Sequence, residues 1–274
     1  MLAPDRLAEL DAFLVELNRA AAAVTLPLFR ADHGLEDKNA DGGGYTPGFD
    51  PVTRADKGAE QAIRALIAAR YPNHGVIGEE YGQDRPDADF VWVLDPIDGT
   101  RSFIAGLPLW CTLIGMRFQG TPTLGSISQP FLDELYIGHP GASRLVSRGA
   151  VRPLKVRACA RLAHAVIGTT DPDACFKADE MPAWRALRGQ ARVIRPGLDS
   201  YSYAMLAAGT MDLVVESGLK SWDIEAAIPV IQGAGGAATD WRGAAIGDSG
   251  GQVILSGDPA CLEETLAVLS PSAA

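Results

Sequence analysis

Trp92-Val93-Leu94-Asp95-Pro96-Ile97-Asp98-Gly99-Thr100 is the stretch on which the reading of this chain turns. Val91 to Leu94 is a short apolar run of β-formers and predicts a buried strand. Pro96 has no N–H for a sheet ladder, so the strand is expected to stop there. Gly99 and Thr100 then open a helix, with Asp98 or Thr100 at its N-terminus. Asp95 and Asp98 flank the turn and can point the same way, with the Ile97 carbonyl between them. Such oxygens suit a hard cation such as Mg²⁺, and N–H groups at Gly99 and Thr100 would face an anion. A plain Asp-Pro turn capping a helix explains the same residues, and the segment alone does not choose.

The 274 residues give room for one large or two medium domains. With 47% hydrophobic and 21% charged residues, the composition is that of a globular protein with an ordinary core. A net charge of −10 argues against a nucleic-acid surface, which needs a basic stripe. An acidic protein that handles anions would need metal ions to offset its own field. Cys111, Cys159, Cys175 and Cys261 form no C-x-x-C pair, so neither a zinc site nor a disulfide framework is indicated. Free thiols, no signal-like N-terminus and no apolar run of membrane-spanning length lead to the expectation of a cytoplasmic protein.

Outward from the turn, Leu7, Leu10, Leu14, Leu17, Ala21, Val24 and Leu28 recur at helical spacing and predict a long amphipathic helix, kinked or ended by Pro27. Residues 31–48 are rich in Asp, Gly, Lys and Asn and read as a mobile loop. It is either a surface insertion or a lid carrying a charge such as Lys38. Thr53 and Asp56 fit a capping box for a helix through Ala59, Ile63, Leu66 and Ile67. Gly75-Val76-Ile77-Gly78 predicts a strand that runs into Glu79-Glu80, beside the Asp95 turn. Runs at 112–118, 124–127 and 134–137 predict an antiparallel meander. The second half alternates strands (165–168, 192–194, 211–215, near 238, 253–255) with helices (182–187, 200–208, 222–232, 259–269). That alternation predicts a layered α/β unit. The expected division is an N-terminal α+β domain over 1–145 and a C-terminal α/β domain over 146–274.

Acids thus stand at element ends: Asp56, Glu79, Asp95, Asp98 and Asp223, the last in Ser221-Trp222-Asp223 at the start of a helix. Singly, Asp56 and Asp223 are explained as helix caps. Jointly, Gly78-Glu79-Glu80, Asp95-Pro96-Ile97-Asp98-Gly99-Thr100, Trp222-Asp223 and Gly233-Ala234-Gly235-Gly236, led by Asp50-Pro51-Val52-Thr53-Arg54-Ala55-Asp56, resemble the inositol monophosphatase family from about residue 50 to the C-terminus. The resemblance implies an αβαβα sandwich, usually a homodimer, and a Mg²⁺-dependent phosphatase with about two or three ions per site. It also implies that Mn²⁺ can substitute and that Li⁺ and Ca²⁺ inhibit. Glu79, Asp95, the Ile97 carbonyl, Asp98 and Asp223 would then bind metal. Gly99 and Thr100 would hold phosphate, and Thr100, Glu79 and Asp56 would serve catalysis. None of His33, His74, His139 and His164 lies in a catalytic motif.

Gly197-Leu198-Asp199-Ser200-Tyr201-Ser202-Tyr203 and Asp212 to Lys220 resemble the histidinol-phosphate phosphatase branch of that family. Asp199 and Glu216, with Asp98, would contact substrate, and two carboxylates match a molecule carrying an ammonium and an imidazole. A helix cap at Asp199 is the plainer account. The chain departs from the branch at Gln232, where an acid is usual, at Trp222 and at Pro196. The alternatives are an inositol-1-phosphate or broad sugar-phosphate phosphatase, and a regulatory homologue that binds another protein. A small phosphorylated alcohol is the expected partner, with neither nucleic acid nor membrane.

Overall fold

The computed structural model describes residues 2–32, 34–37 and 51–274. Lys38, Asp50 and the glycine triplet at 42–44 lie outside the described residues. Helix α1 (Pro4–Leu28) buries Leu10, Phe13, Leu14, Leu17 and Ala21, spaced three or four apart, and ends one residue after Pro27. Two-residue strands β1 (Glu36–Asp37) and β2 (Pro51–Val52) pair antiparallel. Thr53 then caps α2 (Arg54–Arg70): its side chain accepts from the Ala55 N–H, and its own N–H donates to the Asp56 carboxylate.

The larger sheet is built from β3 (Gly75–Gly78), β4 (Gly82–Asp84), β5 (Phe90–Asp98), β6 (Cys111–Phe118), β7 (Thr121–Gln129), β8 (Glu134–His139), β9 (Ala142–Ser147) and β10 (Ala150–Pro153). Its order is β10-β9-β8-β7-β6-β5-β3-β4, and only the β3–β5 pair is parallel. One-turn helix α3 (Thr100–Ile104) follows β5. The second half contributes β11 (Val166–Thr169), α4 (Pro172–Cys175), α5 (Met181–Gln190), β12 (Val193–Pro196), α6 (Tyr201–Ala207), β13 (Leu213–Leu219), α7 (Ser221–Ile224), α8 (Ala227–Gly233), β14 (Ala237–Thr239), β15 (Gly251–Ser256) and α9 (Pro259–Leu269). Its sheet has the order β12-β11-β13-β15-β14, with β11 parallel to both β12 and β13.

Alternation along the strands sorts the core into layers. Ile114, Met116 and Ile137 pack with α1 and α2, whereas Leu113, Ile127 and Tyr136 face the other way, onto α6 and α8. In the smaller sheet Val214, Val253 and Leu255 join that same middle layer, while Leu213, Val215 and Ile254 face α5 and α9. The stacking is helix, sheet, helix, sheet, helix. Helix α8 lies directly on the larger sheet because Gly125 and Gly138 have no side chains: a Cβ on Gly125 would stand 2.1 Å from the Ala226 carbonyl oxygen.

Three expectations need correction. Strand β5 does not stop at Pro96 but runs to Asp98, with its register against β6 broken between Asp95 and Asp98. A proline is tolerated where the ladder is already interrupted, and the Pro96 carbonyl accepts from Thr112 Oγ1 at 2.8 Å. The helix expected over 222–232 is two helices, because Pro229 inside one continuous helix would collide with the Glu225 carbonyl; the break puts it in the first turn of α8. A division at residue 145 would cut β9, since the larger sheet runs on to Pro153 and one core cluster joins both sheets.

Candidate active site

Strands β3 and β5 are parallel, and Gly78 opposite Leu94 is their last pair, so β3 ends level with the start of the β5 turn. The Glu79 N–H donates to the Leu94 carbonyl at 3.2 Å, which brings Glu79 beside Asp95. There the broken register lets the chain curl: the Ile97 N–H donates back to Asp95 Oδ1 at 3.1 Å. The Ile97 side chain is buried among Phe29, Ala55, Phe103 and Trp110. Its carbonyl accepts from Thr100 Oγ1 at 3.0 Å. Asp98 Oδ2 accepts from the Ser200 N–H at 2.7 Å, which ties the turn to the start of α6. Asp223, in the first turn of α7, accepts from the Lys220 N–H at 2.6 Å.

Asp95, Asp98 and Asp223 each offer a carboxylate oxygen, and these lie within 4.8 Å of one another. Asp56 joins from α2: Thr53 donates to its Oδ2 through both N–H and hydroxyl, and Thr100 Oγ1 stands 3.4 Å from its Oδ1. Burial pushes Asp95 well above the usual carboxylate range, and Glu79, Asp98, Asp223 and Asp56 add repulsion in that order. Asp98 is raised well above its usual value by burial and then by Asp199 and Asp223. Asp56 is raised by burial, with Glu79 adding to it. Crowded carboxylates of this kind are relieved by a hard cation, and the donor set (carboxylates and one carbonyl) fits Mg²⁺. Gly99 has φ 81° and caps α3; a Cβ there would stand 2.9 Å from Asp199 Oδ2. Only glycine satisfies both demands.

Opposite the turn are the carboxyl ends of the parallel strands β11 and β12, a common place for ligands in α/β sheets. Asp199 follows β12 with φ 45°, and its Oδ2 accepts from Ser102 Oγ at 3.2 Å. Burial raises its pKa. Glu216, within β13, is fully buried; its Oε1 accepts from Thr170 Oγ1 at 3.0 Å and its Oε2 has no hydrogen-bond partner. Burial pushes Glu216 up to about 8. Asp98 lies between the two regions, close enough to Asp199 and Glu216 to interact electrostatically with both.

The structure therefore gathers Asp56, Glu79, Asp95, Ile97, Asp98, Gly99, Thr100 and Asp223 around one turn, and sets Asp199 and Glu216 across from it. His74 stands apart, stacked between Tyr71 and Phe90 and accepting from Trp92 Nε1 at 3.1 Å; burial lowers its pKa to about 4. Sequence reading missed two ion pairs that hold a buried acid. Arg117 of β6 forks onto Glu225 at the end of α7, and Arg64 pairs with Glu60 on α2. Asp56, Glu60, Ile63 and Ile67 form one buried stripe of α2, so an acid in an apolar stripe was the available signal for Glu60.

A sequence profile described as the inositol monophosphatase family matches residues 6–271. The chain belongs to this family. Among curated relatives, the inositol monophosphatase family member described here is 41% identical over 240 residues to "Bifunctional phosphatase IMPL2, chloroplastic" of Arabidopsis thaliana, covering 86% of this chain and 66% of that protein, just under two thirds of its length. It is 34% identical over 193 residues to "Histidinol-phosphatase" of Chlorobaculum parvum, covering 70% and 73%. Among solved structures, an inositol monophosphatase from Zymomonas mobilis superposes with a TM-score of 0.84 at 35% identity, covering 96% of this chain and 98% of that one. Members of the inositol monophosphatase family are phosphatases, and this chain shares their layered fold. Among the described residues, no helix is long and apolar enough to cross a membrane.

Proposed function

We propose that this chain is a Mg²⁺-dependent phosphomonoesterase whose preferred substrate is L-histidinol phosphate. The observation that carries the choice of substrate is the orphaned Oε2 of buried Glu216, with Asp199 nearby. A fully buried acid with an unused oxygen is held protonated until a cation bound beside it favours the ionised form. Histidinol phosphate supplies an ammonium and a protonatable imidazole; a neutral polyol supplies neither. The name of the Chlorobaculum relative supports the same reading.

In this proposal Glu79, Asp95, the Ile97 carbonyl, Asp98 and Asp223 hold the metal. A Mg²⁺ ion held by these residues would supply charge to offset the phosphate dianion, a lowered pKa for the attacking water and stabilisation of the leaving alkoxide. The Gly99 and Thr100 N–H groups bind phosphate oxygens. The Thr100 hydroxyl has one proton and two acceptors, Ile97 O and Asp56 Oδ1. With that proton given to Asp56, its lone pair is free to orient the water, whose proton passes to Glu79. Asp98, Asp199 and Glu216 position the alcohol. A homodimer in the cytoplasm belongs to the same proposal, and light scattering on the purified chain checks the dimer.

The test is a side-by-side measurement of kcat/KM for L-histidinol phosphate and inositol 1-phosphate, with Mg²⁺ and with excess chelator. The expected result is a preference of at least about tenfold for histidinol phosphate, as one matched charge contributes, and no phosphate release in chelator. Equal or reversed values would remove histidinol phosphate as the substrate. Full activity in chelator would remove the metal. The second reading, an inositol-phosphate or broad sugar-phosphate phosphatase, draws on the likeness to the Zymomonas enzyme and expects the reverse ranking.

A further inference from the structure

Glu79 stands on a turn between β3 and β4 whose backbone is gripped from below by one side chain. Glu60 is fully buried on α2, one helical turn after Asp56. Its Oε2 accepts from the Glu80 N–H at 2.8 Å, and its Oε1 accepts from the Tyr81 N–H at 3.2 Å and from Arg64 Nε at 2.7 Å. Arg64 also donates to the Gly82 carbonyl at 2.5 Å, so the ion pair straddles residues 80–82. The approach on the other flank is equally close. A Cβ on Gly78 would stand 2.1 Å from Glu60 Oε1, so Gly78 must be glycine for the carboxylate to sit there. Glu79 is thereby fixed on both sides, through contact at residue 78 and hydrogen bonds at residues 80 and 81.

We propose that Glu60 is a positioning residue for the metal site: its buried carboxylate locks the 78–81 backbone so that the Glu79 side chain is held ready beside Asp95. The inference rests on the metal-dependent reading above. Its physical basis is that a group bonded to a ligand's support restricts where that ligand can go, and loss of such a group typically weakens metal binding roughly ten- to a hundredfold. The geometry also explains why α2 carries two acids on one buried stripe. Asp56 reaches the Thr100 turn and Glu60 reaches the Glu79 turn, so one helix sets the distance between them.

The experiment measures Mn²⁺ binding by calorimetry, without substrate, to the wild type, Glu60→Gln and Gly78→Ala, alongside thermal unfolding in chelator. Gln keeps the shape but turns an NH₂ group toward donors; a methyl at residue 78 drives the intact Glu60 away. Both folded variants are expected to bind Mn²⁺ at least about tenfold more weakly, with the Mg²⁺ concentration for half-activity raised in step and substrate KM at saturating Mg²⁺ little changed. Wild-type Mn²⁺ affinity in either folded variant would overturn the proposal, even if its unfolding temperature fell, because that is the mark of a merely structural role. Hydrogen exchange on the metal-free wild type needs no variant: the Glu80 and Tyr81 amides are expected to be protected, and free exchange there would also overturn it. If the wild type bound no Mn²⁺, the metal-dependent reading itself would fail, a separate outcome.

Discussion

The turn after β5 and the region beyond β11 and β12 both concentrate acids, but they do so differently. At the turn, Asp95, Asp98 and Asp223 press their oxygens together within 4.8 Å; burial raises the pKa of Asp95 and Asp98, and the neighbouring acids add to it. Beyond β11 and β12, Asp199 accepts from the Ser102 hydroxyl and Glu216 from Thr170; burial raises these two as well, but their carboxylates do not belong to the cluster of oxygens at the turn. Mutual crowding calls for a multivalent ion held by several ligands at once. Separate buried acids suit single positive charges on an organic molecule. Under the proposed function, the first region would carry the reaction and the second would select the alcohol.

The sharpest way to break this contrast is at the turn. Asp98→Asn removes one crowded oxygen and should lower turnover by about a thousandfold or more, against the several kcal/mol a catalytic metal supplies, with circular dichroism unchanged. An Asp98→Asn variant within tenfold of wild type would mean that the crowding serves no metal. Next comes the support of Asp223. Glu225→Ala leaves Arg117, which is only 8% exposed, with only the exposed Asp248 at 3.8 Å, and should cost about 3 kcal/mol of stability in urea titrations. A cost below about 1 kcal/mol would show that α7 does not depend on the pair.

In the second region, Asp199→Ala should raise KM for histidinol phosphate on the order of tenfold, with a smaller change for inositol phosphate. An equal effect on both substrates would erase the proposed division of labour. The most gradual effect is the pH dependence of Glu216. Its folded pKa of about 8 lies above its ordinary 4.5, so between these values the folded protein holds a proton that the unfolded chain has lost. Stability of the chelated protein therefore falls as pH rises through that window, by at most about 1.4 kcal/mol per pH unit from this one group. Glu216→Gln should flatten the slope in melts from pH 5 to 8, and an unchanged slope would mean Glu216 carries its charge throughout.

Much of the fold was legible locally. The α1 stripe and the Thr53–Asp56 box depend on contacts three or four residues apart, and α9 was read correctly as 259–269. The acids of the turn were legible too, because strand ends and turn residues mark where side chains leave a sheet. Less legible were the passage of β5 through Pro96, which depends on Thr112 of the next strand, and the pairing of Glu225 with the distant Arg117. Glu60 escaped notice because a helical acid reads as solvated unless its burial is known.

By itself the sequence determined the layered α/β class and the acids of the turn, because periodicity and turn chemistry act over a few residues. The tertiary structure decided which acids meet. Parallel pairing put Glu79 beside Asp95, and the Ser200 N–H fixed Asp98 across 102 positions. The packing of β13 left Glu216 buried with one oxygen unpaired. The physical reason is range: backbone preference is set by neighbours in sequence, whereas burial and electrostatic coupling exist only once distant segments are packed together.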